Sequence, residues 1–374
     1  MKNELSRRSL LHAAGVAAAA AATACSNAAQ DLAAPPEPAA AAWPIELGDR
    51  VPKICLGSGD AARLRMWKQA GVNYVLSGGG PAPWTVDDLR KRMAETEAQG
   101  VKLINLMLGD MNDIIHGSPN RDKEIENWIA SIRAAGEAGL PVIEYNFYAH
   151  RLTEGYKEEV GRAGAGYTAY DYNLSKDLPP LEGAGTHTRA EQLDRARYFL
   201  EAVIPEAEKA NVRLALHPND PPVPLSRGSE QIMASFEQWK AYLDLVKSPF
   251  NGLTFDCGVT REMGEDAVAV ARHLGRDRDC INHVHFRNVV VRQPYIDYTE
   301  VFIDEGQVNM FAVMRELVAQ KYPRGLYPEH PRAMDIDKDP GGTVRAYYPG
   351  GGGPAAEIYN VAFTKAMLLA TLST

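Results

Sequence analysis

The sequence contains few cysteines, and they form no recognisable pattern. There are 4 Cys among 374 residues, and no two of them stand as C-x-x-C. A small fold held together by a disulfide framework needs closely spaced, paired cysteines. The sequence therefore excludes that class of protein. The cysteines are Cys25, Cys55, Cys257 and Cys280.

An excess of basic residues is also absent. Lys and Arg together number 40 and Asp and Glu 48, so the formal net charge is −8. Residues 1–24 carry a net charge of +2, and the remainder therefore carries about −10. A body this acidic repels phosphate backbones and anionic lipid headgroups. We expect no nucleic-acid partner and no electrostatic binding to a membrane surface.

The N-terminal segment 1–25 is typical of an export signal. Arg7 and Arg8 precede an uncharged, alanine-rich stretch, an arrangement that resembles a twin-arginine signal. The residues up to Cys25 also resemble a lipoprotein cleavage site, so a lipid tether on Cys25 and simple cleavage both stay open. The Ala/Pro-rich segment 26–45 predicts a flexible linker. We expect a periplasmic protein.

From residue 46 to residue 374, short apolar runs alternate with stretches of helical period. Eight strand–helix units in a chain of this length predict an α/β fold, the (β/α)8 or TIM barrel. A doubly wound sheet is the alternative, but no G-x-G-x-x-G follows the first predicted strand. The predicted strands are 52–56, 72–77, 101–108, 141–149, 212–217, 251–257, 280–289 and 325–330, and the predicted helices include 84–99, 121–138, 189–210, 231–247, 264–275 and 307–321.

Segment 150–188 is the one long connection between predicted elements. Connections of this length in a compact domain are usually functional or disordered. Because it follows the fourth predicted barrel strand, it would lie over the end of the barrel where active sites form. We predict that it is a lid.

Polar residues end the last four predicted strands. Strand ends in a barrel converge on one point above the core, whatever their separation in sequence. Two imidazoles and two carboxylates that converge there predict a divalent-metal site. Such a donor set suits Mn²⁺ or Fe²⁺, with Co²⁺ and Zn²⁺ as other divalent candidates. The predicted ligands are His217, Asp256, His285 and Glu329.

Asp256 and Cys257 compete for one ligand position. Side chains alternate along a strand, so only one of these neighbours faces the metal. Aligning Phe255, Asp256 and Cys257 on the end of the barrel strand favours Asp256 as the residue that faces the metal. Cys257 as the ligand stays open.

Several segments resemble the mannonate dehydratases, which belong to the xylose isomerase-like barrels. The likeness runs from about residue 50 to the C-terminus. It implies a TIM barrel whose metal lies at the strand ends, and a lyase that removes water from a sugar acid to give a 2-keto-3-deoxy acid. The segments are Ile125-Glu126-Asn127-Trp128, Val142-Ile143-Glu144-Tyr145-Asn146-Phe147, Leu216-His217-Pro218-Asn219-Asp220-Pro221-Pro222, Asn251-Gly252-Leu253-Thr254, His285-Phe286-Arg287-Asn288-Val289 and Pro328-Glu329-His330.

The resemblance also implies an acid/base pair and shows two departures. It suggests His330 and a tyrosine, either Tyr348 or Tyr347, as the catalytic pair. Asp256 falls where the family has a cysteine ligand, and Glu329 replaces the family's aspartate. Each exchange replaces one anion by another, and together they make the site less thiophilic.

Other polar residues near the strand ends are candidates for substrate binding. Arg287 and Asn288 follow the His285 ligand, and a guanidinium binds a carboxylate in bidentate fashion. Tyr145, Asn146 and Asp220 are candidates for contacts with substrate hydroxyls.

Three functions remain open from the sequence. The first is a dehydratase acting on a sugar acid, resembling mannonate dehydratase. The second is a metal-dependent sugar isomerase or epimerase, which the combination of Asp256 and Glu329 favours. The third is an exported sugar-binding protein. The sequence leaves a homo-oligomer open.

Overall fold

A computed structural model describes residues 43–342, 344, 346 and 348–373. The predicted export signal 1–25 and most of the predicted linker lie outside the described residues. Residues Ile45–Leu372 form one compact unit. Its strands are β1 (Lys53–Gly57), β2 (Tyr74–Gly78), β3 (Lys102–Met107), β4 (Val142–Tyr145), β5 (Tyr156–Val160), β6 (Gly166–Asp171), β7 (Arg213–Leu216), β8 (Leu225–Ser226), β9 (Ser229–Glu230), β10 (Asn251–Asp256), β11 (Ile281–His285), β12 (Asn288–Gln293), β13 (Asp297–Val301) and β14 (Gly325–Tyr327).

Eight parallel strands close into a barrel in the order β1-β14-β11-β10-β7-β4-β3-β2. Each coincides with one of the eight strands predicted from the sequence, so the prediction of a (β/α)8 barrel is confirmed. Large side chains such as Trp67, Trp128 and Trp239 are fully buried in its hydrophobic core. The strand ends therefore rest on a rigid, close-packed support.

Helices surround the barrel, and their ends carry the expected capping residues. The longest helix starts at a capping box formed by Thr188 and Glu191 and ends at Asn211 in the left-handed conformation. The α-helices are α1 (Ala61–Gln69), α2 (Val86–Glu97), α3 (Asn112–His116), α4 (Arg121–Ala138), α5 (Arg189–Ala210), α6 (Phe236–Leu243), α7 (Cys257–Glu262), α8 (Ala267–Arg272), α9 (Met310–Ala319) and α10 (Pro354–Leu372). Short 3₁₀ turns lie at Arg162–Gly164, Tyr172–Leu174 and Asp335–Asp337, and a π turn at His273–Asp277.

A second sheet lies beside the carboxyl-terminal ends of the barrel strands, and the sequence did not predict it. It is antiparallel, with the order β12-β13-β6-β5. The predicted strand 280–289 is in fact two strands, because β11 ends at His285 and β12 begins at Asn288. The connection 150–188 contributes β5 and β6. Its role as a moving lid stays a prediction.

No described helix combines the length and the hydropathy that a bilayer span requires.

Helices α4 and α5 approach each other closely at Gly136. A Cβ at this position would lie 2.5 Å from the carbonyl oxygen of Ala210 and 2.8 Å from its Cβ. Gly136→Ala should therefore lower the free energy of unfolding by about 1–3 kcal/mol through overpacking, although alanine favours helix. Urea unfolding measures the change.

Ala130, on the exposed face of α4, provides the control. Ala130→Gly reports the helix-propensity difference alone, a loss of about 1 kcal/mol. If Gly136→Ala instead stabilises the protein by a similar amount, α4 and α5 do not approach each other as closely as described for Gly136 and Ala210.

Candidate active site

Four side chains meet at the carboxyl-terminal end of the barrel. Asp256 and His285 are the last residues of β10 and β11. His217 follows β7 directly, and Glu329 lies two residues after β14. One ligand atom from each lies within 4.8 Å of the others. The structure thus brings together the four residues that the sequence predicts as metal ligands.

The two imidazoles face each other across this cluster. His217 Nε2 lies 3.0 Å from His285 Nδ1. His217 Nδ1 donates to the carbonyl oxygen of Pro218 at 2.7 Å, and His285 Nε2 lies 3.3 Å from Glu144 Oε1. Because the outer nitrogens carry the hydrogens, the inner nitrogens are left to present lone pairs. Two nitrogen lone pairs that face each other beside carboxylates repel one another and the carboxylates. The arrangement therefore requires a positive charge between the two nitrogens.

The electrostatics of the cluster point to the same requirement. Burial favours the neutral form of Glu329, but His285 and His330 outweigh it and hold the pKa of Glu329 well below its usual value. Burial likewise opposes protonation of His285, yet Glu329 and Glu144 raise the pKa of His285 well above its usual value. The surroundings thus favour a cation at this position, which either a proton or a metal ion supplies.

The donor set fits a divalent metal ion. Asp256 Oδ2 lies 3.9 Å from both His217 Nε2 and His285 Nδ1, while Oδ1 accepts the backbone N–H of Val259 at 2.7 Å and caps α7. Cys257 packs in the hydrophobic core instead. The geometry therefore favours Asp256 over Cys257. Two imidazole nitrogens and two carboxylates suit ions such as Mn²⁺ or Fe²⁺.

Arg287 differs from its predicted role in substrate binding. Its guanidinium is buried and donates to Asp256 Oδ2 at 3.1 Å, Glu262 Oε1 at 2.7 Å and Asp220 Oδ2 at 3.3 Å. Its donors are occupied by carboxylates of the chain itself, and it does not line the cavity described below. Arg287 thus orients a predicted ligand from behind.

Asn288 and Tyr145 also point away from the cavity. The Asn288 amide donates to the carbonyl oxygens of Ile303 and Val308, so it shapes a loop. The Tyr145 hydroxyl lies 2.8 Å from that of Tyr242, among core aromatics. Side chains alternate along a strand, and in β4 the neighbouring residue takes the inward position. The predicted substrate contacts of Asn288 and Tyr145 are therefore corrected.

Asn146 and Asp220, by contrast, do line the cavity. Asp220 Oδ1 accepts hydrogen bonds from the hydroxyls of Tyr156 at 2.9 Å and Tyr298 at 3.2 Å. Burial would raise the pKa of Asp220, but Arg287, His330 and Arg151 together outweigh it and lower that pKa to about 2. Asp220 therefore stands at the cavity wall as an anion.

His330 reaches the cavity through a turn of the backbone. Its φ of +48° is left-handed, so the chain bends after Glu329 and both side chains face the same space. His330 Nδ1 lies 2.8 Å from Glu300 Oε2, and Nε2 lies 3.4 Å from Glu329 Oε2. The ring of Tyr348 is centred 5.0 Å from that of His330. Tyr347 lies outside the described residues.

The cavity above the cluster has a volume of about 260 Å³, and one Arg and no Lys is found among the described residues of its wall. That side chain is Arg151, which donates to the Tyr348 hydroxyl. Arg151 is not among the site residues predicted from the sequence, although its place in the connection that follows β4, at the carboxyl end of a barrel strand, was an available signal. The lining residues are Leu76, Ser77, Gly78, Met107, Glu144, Asn146, Tyr148, Arg151, His217, Pro218, Asp220, His285, Tyr327, Glu329, His330 and Tyr348.

Solved structures share this fold. The crystal structure of mannonate dehydratase from Streptococcus suis serotype 2 superposes with a TM-score of 0.75 at 24% identity, covering 86% of this chain and 94% of that one. D-psicose 3-epimerase from Clostridium cellulolyticum H10 reaches a TM-score of 0.55 at 11% identity, covering 84% of this chain and 99% of that one. At these identities the likeness shows the barrel alone.

Sequence comparison is more specific. A mannonate dehydratase of Streptococcus suis (strain 05ZYH33) is 30% identical over 285 residues, which is 69% of this chain and 78% of that protein. One of Enterococcus faecalis (strain ATCC 700802 / V583) is 28% identical over 324 residues, 75% of this chain and 88% of that protein. The family profile described as D-mannonate dehydratase (UxuA) matches residues 53–177 and 184–348. The chain therefore belongs to the D-mannonate dehydratase family.

Proposed function

We propose that the protein is a metal-dependent hydro-lyase that converts D-mannonate into 2-keto-3-deoxy-D-gluconate and water. The observation that carries this proposal is the convergence of four candidate metal ligands, three of which line the cavity that also holds His330 and Tyr348. Family membership supplies the reaction class.

His217, Asp256, His285 and Glu329 would hold the metal, for which Mn²⁺ and Fe²⁺ are the proposed ions. When bound, a divalent ion acts as a Lewis acid that stabilises negative charge developing on the substrate carboxylate. The chain supplies the remaining requirements: it binds the carboxylate, positions the sugar hydroxyls and moves two protons.

The two proton transfers are assigned to His330 and Tyr348. Dehydration removes the proton beside the carboxylate and delivers a proton to the leaving hydroxyl, so a base and an acid have to face neighbouring carbons. The two rings stand 5.0 Å apart at the cavity wall. Arg151 donates to the Tyr348 oxygen, which stabilises negative charge on that oxygen.

Arg151 is the proposed contact for the substrate carboxylate. It is the one Lys or Arg among the described residues that line the cavity, and its guanidinium has donors in a planar fork that matches a carboxylate. Asn146 and Asp220 would contact hydroxyls. Asp220, as an anion, accepts hydrogen bonds from them.

Export belongs to the proposal as well. Segment 1–25 would direct the protein to the periplasm, with Cys25 as a candidate lipid anchor, and 150–188 would cover the substrate as a lid. A homo-oligomer remains compatible with this function. The alternative function is a sugar isomerase or epimerase, which the ligand pair Asp256 and Glu329 favours. This alternative is tested by running the same assays with sugars that carry no carboxylate.

Removal of the metal should abolish dehydration, and Mn²⁺ should restore it. Asp256→Asn should lose most of the bound Mn²⁺, because it removes a ligand charge, whereas Cys257→Ala, at the neighbouring position, should keep it. Metal content measured on purified protein checks both. If Cys257→Ala loses the metal and Asp256→Asn retains it, the assignment of the fourth ligand is reversed.

His330→Asn and Tyr348→Phe should each lower kcat by about 10²–10⁴-fold with bound metal unchanged, since each removes a proton-transfer group. Exchange of the C2 hydrogen of the substrate in D₂O shows which residue is the base. The exchange should vanish in the variant that lacks the base and persist in the variant that lacks the acid. Tyr172→Phe is the matched control, because the Tyr172 hydroxyl contacts the Leu225 carbonyl outside the cavity. If His330→Asn and Tyr348→Phe both keep full activity, the assignment of these two residues as the acid/base pair is wrong.

Arg151→Gln should raise KM for D-mannonate by about 10–100-fold, the loss expected for a hydrogen bond between charged groups. Arg151→Lys should recover part of that loss. Binding of the neutral D-mannonamide should change little. Arg162→Gln, at an exposed pair with Asp304, is the control. A fall in kcat at unchanged KM would instead mean that Arg151 acts only through Tyr348.

A further inference from the structure

Glu144 is a buried carboxylate for which the reaction above has no use. It lies in β4, is 2% exposed and lines the cavity together with three of the predicted metal ligands. Among the described residues, its ion-pair partner within 4.0 Å is the His285 imidazole, and no Lys or Arg pairs with it. Burying an ionised carboxylate costs stability, and a single imidazole partner offsets only part of that cost. Its position therefore calls for an explanation.

Two neutral side chains hold Glu144 in one orientation. The Thr254 hydroxyl donates to Oε1 at 2.7 Å, and the Asn105 amide donates to Oε2 at 2.9 Å. These contacts come from β10 and β3, which lie on either side of β4 in the order of the barrel strands. Because both oxygens are fixed, Oε1 remains directed at His285 Nε2 at 3.3 Å.

The contact with Glu144 decides which nitrogen of His285 faces the cluster. A carboxylate accepts hydrogen bonds, so it selects the imidazole form that carries hydrogen on Nε2. That form presents the Nδ1 lone pair toward His217 and Glu329, whose nearest atoms both lie 3.0 Å from Nδ1. A carboxylate behind a ligating imidazole also makes the imidazole a stronger donor.

We propose that Glu144 is a positioning residue that fixes the orientation and hydrogen placement of His285 and thereby sets the metal affinity of the site. The proposal rests on the metal site of the proposed function, but it does not depend on which substrate is dehydrated. Thr254 extends it: two residues before Asp256, it faces the same side of β10. One strand thus supplies a ligand and the support for another ligand.

His283 is a second neighbour of Glu144 and offers a competing assignment. It is buried, and neither ring nitrogen has a hydrogen-bond partner. Burial lowers the pKa of His283 to about 4, so the ring is neutral at pH 7. Glu144, His283 and His285 could together hold a metal ion by their spacing. In that case Glu144 would be a ligand, and the chain would bind two ions.

The test measures Mn²⁺ affinity by titration of the full-length metal-free protein. Glu144→Gln keeps a hydrogen-bond acceptor but removes the charge, and we expect Mn²⁺ to bind about 10–100-fold more weakly. Thr254→Val removes only the hydroxyl that orients Glu144 and should weaken binding by a smaller factor, even if Glu144→Gln folds poorly. Both should bind one ion per chain.

Two controls separate positioning from general stability. Glu316→Gln neutralises another buried glutamate, one paired with Arg272 at the end of α8 and Arg276 in the π turn that follows, and should leave Mn²⁺ affinity unchanged. Thr364→Val makes the matching change at a buried hydroxyl in α10. ¹⁵N NMR of the Zn²⁺-loaded protein gives the spectroscopic signature: His285 should be protonated at Nε2 and bound through Nδ1.

The outcomes are distinct. Unchanged affinity in both Glu144→Gln and Thr254→Val overturns the proposal, as does a His285 coordinated through Nε2. Two ions per chain, one of them lost in His283→Ala, would make Glu144 a ligand and overturn it too. If Mn²⁺ binding weakens as expected while the wild type leaves every hexonate unchanged, the dehydratase function fails and the role of Glu144 stands.

Discussion

Buried negative charge at the carboxyl-terminal end of the barrel is the constraint on which the rest of the site depends. Buried carboxylates need partners, because the protein interior solvates them poorly. Among the described residues, the carboxylates buried at this end outnumber the buried guanidinium groups, which are those of Arg287 and Arg332. Burial raises the pKa of Glu262 well above its usual value, which neutralises part of the excess. The remaining charge explains why imidazoles and a divalent cation belong in this position. The buried carboxylates are Glu144, Asp220, Asp256, Glu262, Glu300 and Glu329.

The antiparallel sheet makes this arrangement possible at the cavity edge. Strand β13 carries Glu300, whose Oε2 accepts hydrogen bonds from His330 and from Arg332, each at 2.8 Å. This pairing holds His330 in its left-handed backbone conformation, which most side chains avoid. The same sheet supplies Tyr156 and Tyr298 to Asp220. The sheet is therefore part of the machinery that positions the site, whether or not its outer strands move.

The sequence predicted the barrel and the four ligand positions because both follow from local patterns. Strand ends such as His285 are visible as polar residues that close apolar runs. The sheet beside the barrel was missed because β5, with the sequence YKEEV, has no apolar alternation, and because β6 pairs with β13, which lies far along the chain. Arg287 was assigned to substrate because its five-donor fork suits any carboxylate, and the sequence does not reveal that Asp256 and Glu262 occupy it first.

Each predicted ligand has a second contact that fixes it before any ion arrives. His217 is held by the Pro218 carbonyl and His285 by Glu144. Asp256 is held by the N-terminus of α7 and, with Glu329, by Arg287 Nε at 3.1 and 3.4 Å. Sharing carboxylate oxygens with a guanidinium keeps the two anions apart and lowers the negative charge each presents to a cation. Folding therefore already orders these side chains. Metal binding does not have to restrict their freedom further, so its entropic cost is smaller.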